Sequence, residues 1–390
     1  MNKPATIHTL NAVRVLAEYV VVHYHVSEGF QVRSLLGATM ASHVMSFFFV
    51  LSGFMAMHCN MHTDFSDGCN AKQYIWTRFR KTFPTYLFFY LMGLPGSVLD
   101  WHEKGCDLRL LSLASQPVLI SPWLGLFHIG QSNPVSWYIC TLYWMWTAFP
   151  FIPCKTIFAC HPWPKLFALY ITSIGMWVML ARFYTEHTRS VPVFRTFEFF
   201  MGVAVAFTLE HKVHGCMVIV GLMGFVAFCV SDFFGPESWK APSLSGSCML
   251  WEKTNKLWEK TNETMVAPTV VLSLFSGVWA LLIHWLAATE LKAEASIMVK
   301  CLSFDMFKTL STFSLEIYLS HFVFTSFVMT ISRFIGALGL WDPALMILAC
   351  YAFAYAFNVW AQPVLNTIWD WIFASTKPQG DTNTVTLDVR

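Results

Sequence analysis

The chain has 390 residues, of which 56% are hydrophobic, 17% aromatic and only 12% charged, against roughly 25% charged in an average soluble domain. That balance excludes an ordinary soluble domain and reads as an all-α, polytopic bundle of transmembrane helices. The formal net charge is +2, and no basic run is interleaved with aromatics, so the composition points to no nucleic-acid partner and says nothing of the substrate.

In chain order, apolar windows long enough for a helical span, about 20 residues, fall at 7–27, 37–58, 82–99, 136–153, 165–183, 195–210, 216–234, 265–287, 310–331 and 345–371. That predicts ten spans. The first is kept as a permanent helix, because no small-residue cleavage site of the signal-peptide kind follows it. Residues 108–134, "LRLLSLASQPVLISPWLGLFHIGQSNP", are moderately apolar but broken by two prolines and polar groups, and are read as a surface or re-entrant segment. Ten spans place "KQYIWTRFRK", "EHKVH" and "LKAEASIMVK" in the cytoplasm with the N-terminus, and leave Arg33, Arg182 and Arg189 on short outer loops.

The longest non-apolar connection, 232–264, is placed outside and carries the tandem copies "LWEKTNK" and "LWEKTNE". Leu250 with Leu257, and Trp251 with Trp258, recur on similar helix faces, which suits a short interfacial helix. A local duplication without function explains the repeat as well. Asn262-Glu263-Thr264 at its end is a glycosylation sequon. The membrane domain is taken as 1–372 and the polar tail 373–390 as disordered. The eleven cysteines show no paired metal-ligand spacing, so no metal site is expected. Cys140, Cys229 and Cys350 lie in apolar segments, where a thiol behaves as a small hydrophobe. Cys106 and Cys248 fall in outer loops, where a disulfide between them is one option.

The first span, "RVLAEYVVVHYH", carries ionisable groups that hydrocarbon penalises. At about 100° per residue, Arg14, Glu18 and His25 fall within roughly 40° of one another, and His23 points to the opposite side. Glu18 can pair with Arg14 at i,i+4. His25 lies about 10 Å further along the axis and needs an orienting partner on another helix. Histidine suits a general base, and arginine nearer the inner face suits a phosphate. A base and a phosphate clamp at different depths fit a donor with a long phosphorylated handle, such as coenzyme A. A charge-neutralised packing helix is the competing reading.

Ser314, Tyr318 and His321 form a second polar stripe within about 60°, which either lines the same cavity or packs helices. Glu316 points away from that stripe and is read as a packing or interface group. Arg195 and Glu198, three positions apart, form a pair, and His43 and His284 are left as structural.

These motifs occur in an order that resembles integral-membrane acyltransferase family 3. "VRVLAEYVVVHYH", with Arg14 and His25 eleven apart, is similar to the family's first-helix "LRGLAALLVVLFHH". "FFFVLSGF" at 47–54, with Ser52 and Gly53, resembles "FFVLSGF"; "RFRKTFPTY" at 78–86 resembles the basic "RRxxRIxP" entry to the third helix. "FEFFMGVAVA" at 197–206 is similar to "xEFLLGMLLA", and "SLEIYLSHFVF" at 314–324 to "SYSLYLIHFPV". One motif departs. The family's "WSLSVEEQFYLLFP" aligns with "WYICTLYWMWTAFP" at 137–150, so the paired glutamates become Leu142 and Tyr143.

The resemblance implies transfer of an acyl group, expected to be acetyl, from cytoplasmic acyl-CoA to a hydroxyl of a carbohydrate or glycoconjugate such as a polysaccharide. It implies catalytic roles for His25 as base and for Arg14. Arg78, Arg80 and Lys81 would meet the donor's phosphates, while Ser52, Trp137, Tyr318 and His321 would bind substrate. Glu18, where the family generally has a small apolar residue, is a candidate for the missing carboxylate. No tightly bound cofactor is required; acyl-CoA is a co-substrate, and the setting is a plasma or secretory-pathway membrane. A catalytically altered relative and, less well matched, a secondary transporter remain as alternatives; no internal repeat supports the transporter.

Overall fold

The computed structural model describes residues 7–29, 38–104, 108–124, 135–181, 191–211, 213, 215–234, 275–292, 297–334 and 342–373. Its helices are α1 (His8–Gly29), α2 (Ala38–Cys59), α3 (Gly68–Lys104), α4 (Leu108–Ser115), α5 (Ser121–Leu124), α6 (Ser136–Ala148), α7 (Cys154–Phe158) and α8 (Pro162–Ala181). They continue as α9 (Pro192–Ala206), α10 (Gly215–Phe234), α11 (Phe275–Leu291), α12 (Ile297–Leu302), α13 (Asp305–Thr312), α14 (Ser314–Phe334), α15 (Pro343–Ala356) and α16 (Gln362–Ile372). Among the described residues there is no strand.

Helix falls on each of the ten apolar stretches, as it must where no water is at hand to satisfy backbone groups. Met40–Cys59, Ser314–Ile331 and Pro343–Ile372 are long and apolar enough to cross a bilayer by themselves. The chain is therefore an all-α membrane protein, and exposed Met217, Val220 and Met223 on α10 are the outward apolar face such a protein presents. The duplicated loop, the sequon, Cys106, Cys248, the outer arginines 33, 182 and 189, and the tail beyond 373 lie outside the described residues. Cys140 and Cys350 are buried.

The helix ends depart from the apolar stretches for identifiable reasons. α3 starts at Gly68 rather than near 82, because Asp67 caps it: its Oδ1 accepts the Cys69 N–H at 2.9 Å. The basic run 78–81 is thus helical. The stretch predicted over 310–331 is broken at Phe313, which separates α13 from α14. The last stretch passes through a π-helical turn, Phe357–Ala361, just before Pro363. Proline cannot donate to the carbonyl four residues back and crowds it, and the wider turn absorbs the mismatch.

Residues 108–124 combine exposed Leu111, Val118 and Ile120 with buried Leu113, Gln116 and Ser121. Tyr86 Oη donates to the Gln116 carbonyl at 2.8 Å, Tyr90 Oη to the Leu113 carbonyl at 2.8 Å, and the Gln116 amide to Ser136 Oγ at 3.3 Å. Buried polar groups held from both sides fit the re-entrant reading.

Two features position the site. α2 and α9 touch backbone to backbone: a Cβ on Gly53 would lie 1.8 Å from the Phe199 carbonyl oxygen, and one on Gly202 would lie 1.8 Å from that of Val50. Small residues permit such approach between membrane helices. Polar contacts tie helix ends together: Glu290 receives the His8 N–H at 2.7 Å and the Thr9 N–H at 2.9 Å, Lys155 Nζ reaches the Thr63 carbonyl at 2.7 Å, and Arg80 pairs with Asp370 at 2.5 Å.

Candidate active site

The polar face of α1 meets α13 and α14. Arg14 donates through Nη2 to the Ser311 carbonyl at the end of α13, and Ser314 Oγ donates to Glu18 Oε2. Glu18 is buried, its Oε1 has no hydrogen-bond partner among the described residues, and neither has Arg14 Nε. The expected i,i+4 pair is electrostatic, since Arg14 and Glu18 interact as charges while Ser314 takes the carboxylate's hydrogen bond. Tyr138 of α6 lies beside Tyr318 of α14, with ring centroids 5.4 Å apart. Glu316, expected as a packing or interface group, is buried, and its Oε2 has no hydrogen-bond partner among the described residues.

Further along α1, the His25 ring lies 5.3 Å from that of His321, centroid to centroid. His321 is fully buried, and its Nδ1 lies 3.1 Å from the Ile317 carbonyl. A carbonyl only accepts, so Nδ1 carries the proton and Nε2 is a bare acceptor. That Nε2 has no partner among the described residues. Tyr318 stacks near both groups, 5.9 Å from the His321 ring and 5.4 Å from Tyr138. Its hydroxyl proton is given to the Val135 carbonyl at 2.8 Å, which leaves the ring as a wall of the site. His23 lies apart, its Nδ1 3.5 Å from Ser27 Oγ.

The other expected residues divide into two groups. Ser52 joins the site through Tyr138, with the two hydroxyls 3.3 Å apart. Lys81 is an exposed residue in the N-terminal half of α3. Arg78 sits over the rings of Tyr74 and Trp146, at 5.5 and 5.7 Å, a cation–π seat that holds it at that end. Arg80, by contrast, is engaged by Asp370. Trp137 belongs elsewhere: with Trp177 and Phe49 it cages Arg195, whose Nη1 pairs with Glu198 at 3.0 Å and meets Ser46 Oγ at 3.2 Å. This ion pair is fully buried and ties α9 to α2.

Sequence reasoning passed over Tyr138, which stands next to Trp137 in a matched motif. At the divergent positions of α6, Leu142 is buried and the Tyr143 hydroxyl bonds Thr82. A cavity of about 220 Å³ between α1, α2, α10 and α11 is lined by apolar groups such as Val13, Phe47 and Trp279, and lies off the polar face. Among the described residues no group of three or more His, Cys, Asp or Glu side chains is placed to hold a metal ion.

The fold is a bundle of apolar helices that holds ionisable side chains along one face of α1. The chain matches the family model described as an acyltransferase domain over residues 7–362, nearly its whole length, and it belongs to acyltransferase family 3. It is a membrane acyltransferase. No curated protein and no solved structure matches it.

Proposed function

We propose that this acyltransferase moves an acyl group, acetyl in the first instance, from cytoplasmic acyl-CoA to a hydroxyl of a carbohydrate or glycoconjugate acceptor. The observation that carries the reading is the placement of His25 beside His321, further along the helix face that also carries Arg14. Arg14, with Arg78 and Lys81 toward the exposed end of α3, binds the phosphates of the donor. Arg80 contributes by anchoring α16 to α3 through Asp370.

In this reading His25 takes the proton from the acceptor hydroxyl as its oxygen attacks the thioester carbonyl. The tetrahedral intermediate collapses, the carbon–sulfur bond breaks, and the histidine returns the proton to the departing CoA thiolate. His321 presents its bare Nε2 toward the interior and Tyr318 walls the acceptor side. The spans expected at the ten apolar stretches carry the donor end on the cytoplasmic side, in a plasma or secretory-pathway membrane; the basic residues 78–81 support that orientation.

The test is release of free CoA thiol from acetyl-CoA by the purified protein given a crude glycan extract, with His25→Ala as the control. Acceptor-dependent release that the substitution abolishes is expected. CoA binding that depends on Arg14, without any release, would instead mark a member that kept the donor site and lost the chemistry along with the glutamates at 142 and 143.

A further inference from the structure

α1 and α14 run side by side, in the same direction and in register. Glu18 meets Ser314, and seven residues further along each helix His25 meets His321, with ring centroids 5.3 Å apart. Seven residues are two turns, about 10 Å of rise. Between the two polar contacts lie Val22 and Ile317, both fully buried and members of one apolar cluster. The contact of Glu18 with Ser314 thus sets the register that brings the two histidines level, and an apolar layer separates them from the Glu18 carboxylate.

His321 is arranged to accept a hydrogen bond. Its side chain is fully buried, its Nδ1–H donates to the Ile317 carbonyl at 3.1 Å, and its Nε2 has no hydrogen-bond partner among the described residues. Buried polar atoms are nearly always paired, so Nε2 marks a contact still to be made. The neighbouring hydroxyls are engaged: that of Tyr318 donates to the Val135 carbonyl at 2.8 Å, and that of Thr325 faces Cys350 Sγ at 3.7 Å. Two imidazoles joined edge to edge by one hydrogen bond of about 3 Å have their centres about as far apart as these. The rings are tilted by 32°, and a turn about the last side-chain torsion of His25, a broad one in histidine, brings an N–H onto Nε2.

We propose that His321 is the positioning residue of the transfer: its Nε2 accepts an N–H of the His25 ring, holds that ring in one tautomer and one direction, and shares the positive charge that His25 acquires. The inference rests on the acyl-transfer reading given above. As the acceptor oxygen attacks the thioester carbon, its O–H bond breaks and the proton joins one nitrogen of His25, while the N–H on the other nitrogen stays in place and strengthens its bond to His321. The carbon–oxygen bond forms, the carbon–sulfur bond breaks, and the sulfur takes the proton back from the same His25 nitrogen. Both histidines end neutral, and His321 has neither gained nor lost a proton. Orienting a histidine base through its second nitrogen is the role a carboxylate plays in a Ser-His-Asp triad; here a neutral ring fills it.

Two substitutions separate the nitrogens of His321. In His321→Asn the amide N–H takes the place of Nδ1 on the Ile317 carbonyl and nothing reaches the position of Nε2; in His321→Gln the longer side chain brings an amide oxygen there. With acetyl-CoA varied against an excess of glycan extract, His321→Asn should lower kcat by about 10- to 100-fold, the worth of one hydrogen bond to a charged group. KM for acetyl-CoA should stay within about twofold of wild type, as for a contact made only in the transition state, and His321→Gln should recover most of the loss. Equal losses in the two variants, or a loss carried by KM alone, would reduce His321 to a packing group and overturn the proposal. The 15N spectrum of histidine-labelled protein in detergent, with the His25 signals identified by their absence from His25→Ala, reads the tautomer directly. A single His25 tautomer in wild type and His321→Gln that becomes a mixture in His321→Asn upholds the proposal; a mixture in wild type, or one tautomer in all three proteins, overturns it. Should His321→Asn not fold, His321→Leu, which fills the site without an acceptor, takes its place in both measurements. Should the wild-type protein transfer no acyl group, the acyl-transfer reading fails by itself, and the spectra alone decide whether His321 orients His25.

Discussion

Gly53→Ala tests the packing on which the site depends. The added Cβ would sit 1.8 Å from the Phe199 carbonyl oxygen and 2.7 Å from its carbonyl carbon. A carbon–oxygen contact needs about 3.3 Å, so α2 and α9 would have to part locally by about 1.5 Å. The opposing atoms are backbone in a close-packed interior and cannot swing aside. Overpacking costs about 1–3 kcal/mol, and rigid backbone places this site at the upper end; alanine returns about 1 kcal/mol of helix propensity. The net loss is about 2 kcal/mol, a fall in Tm of about 4 °C at roughly 2 °C per kcal/mol. Tryptophan-fluorescence thermal denaturation in detergent reads it. Gly175→Ala in α8, where a Cβ meets nothing within 4 Å, is the control and should leave Tm unchanged or slightly raised. Because one separation of the helices accommodates both methyls, Gly53→Ala with Gly202→Ala should cost less than the sum. A Gly53→Ala protein that melts no lower than the Gly175→Ala control would refute the reasoning.

Three further outcomes are expected. Glu290→Ala removes the acceptor shared by the His8 and Thr9 N–H groups and the Thr9 hydroxyl, and should cost about 1–2 kcal/mol, the worth of a helix cap, in the same melting assay. Arg195→Met strands the buried Glu198 carboxylate, a loss of about 3–5 kcal/mol visible as reduced folded yield; adding Glu198→Gln should recover part of it, and a double variant as poor as the single would contradict the pairing. Exposed Cys69, Cys160 and Cys301 should react with an impermeant maleimide from the same side of sealed vesicles. Cys154, buried and with its thiol pushed up to about 12 by desolvation, should stay unlabelled at neutral pH; labelling of Cys69 and Cys160 from opposite sides would contradict the ten-span orientation.

Much of the site was legible in the residues because helical periodicity is local. The 3.6-residue repeat alone puts Arg14, Glu18 and His25 on a common face, and the same rule aligns Ser314, Tyr318 and His321. It also sets Glu316 apart from that stripe. A face computed on one helix shows which residues share a side, not how many neighbours surround that helix. α14 is packed by α1 on one side and by α15 on another, so Glu316 is buried although it points away from Ser314. Trp137 and Arg80 matched motifs in register, yet their partners are Arg195 and Asp370, far away in sequence.

By itself, the sequence determined that the chain is helical and membrane-bound, where its apolar stretches lie, and which ionisable residues share a face of the first helix. Hydrophobic length and helical periodicity depend only on neighbours a few residues apart, so they can be read directly. Only the tertiary structure decided that His25 lies beside His321, that Ser314 rather than Arg14 holds the Glu18 carboxylate, and that Arg14 meets the Ser311 carbonyl. Those pairings join positions about 300 residues apart, and they are set by which helices pack together, a property no local window contains.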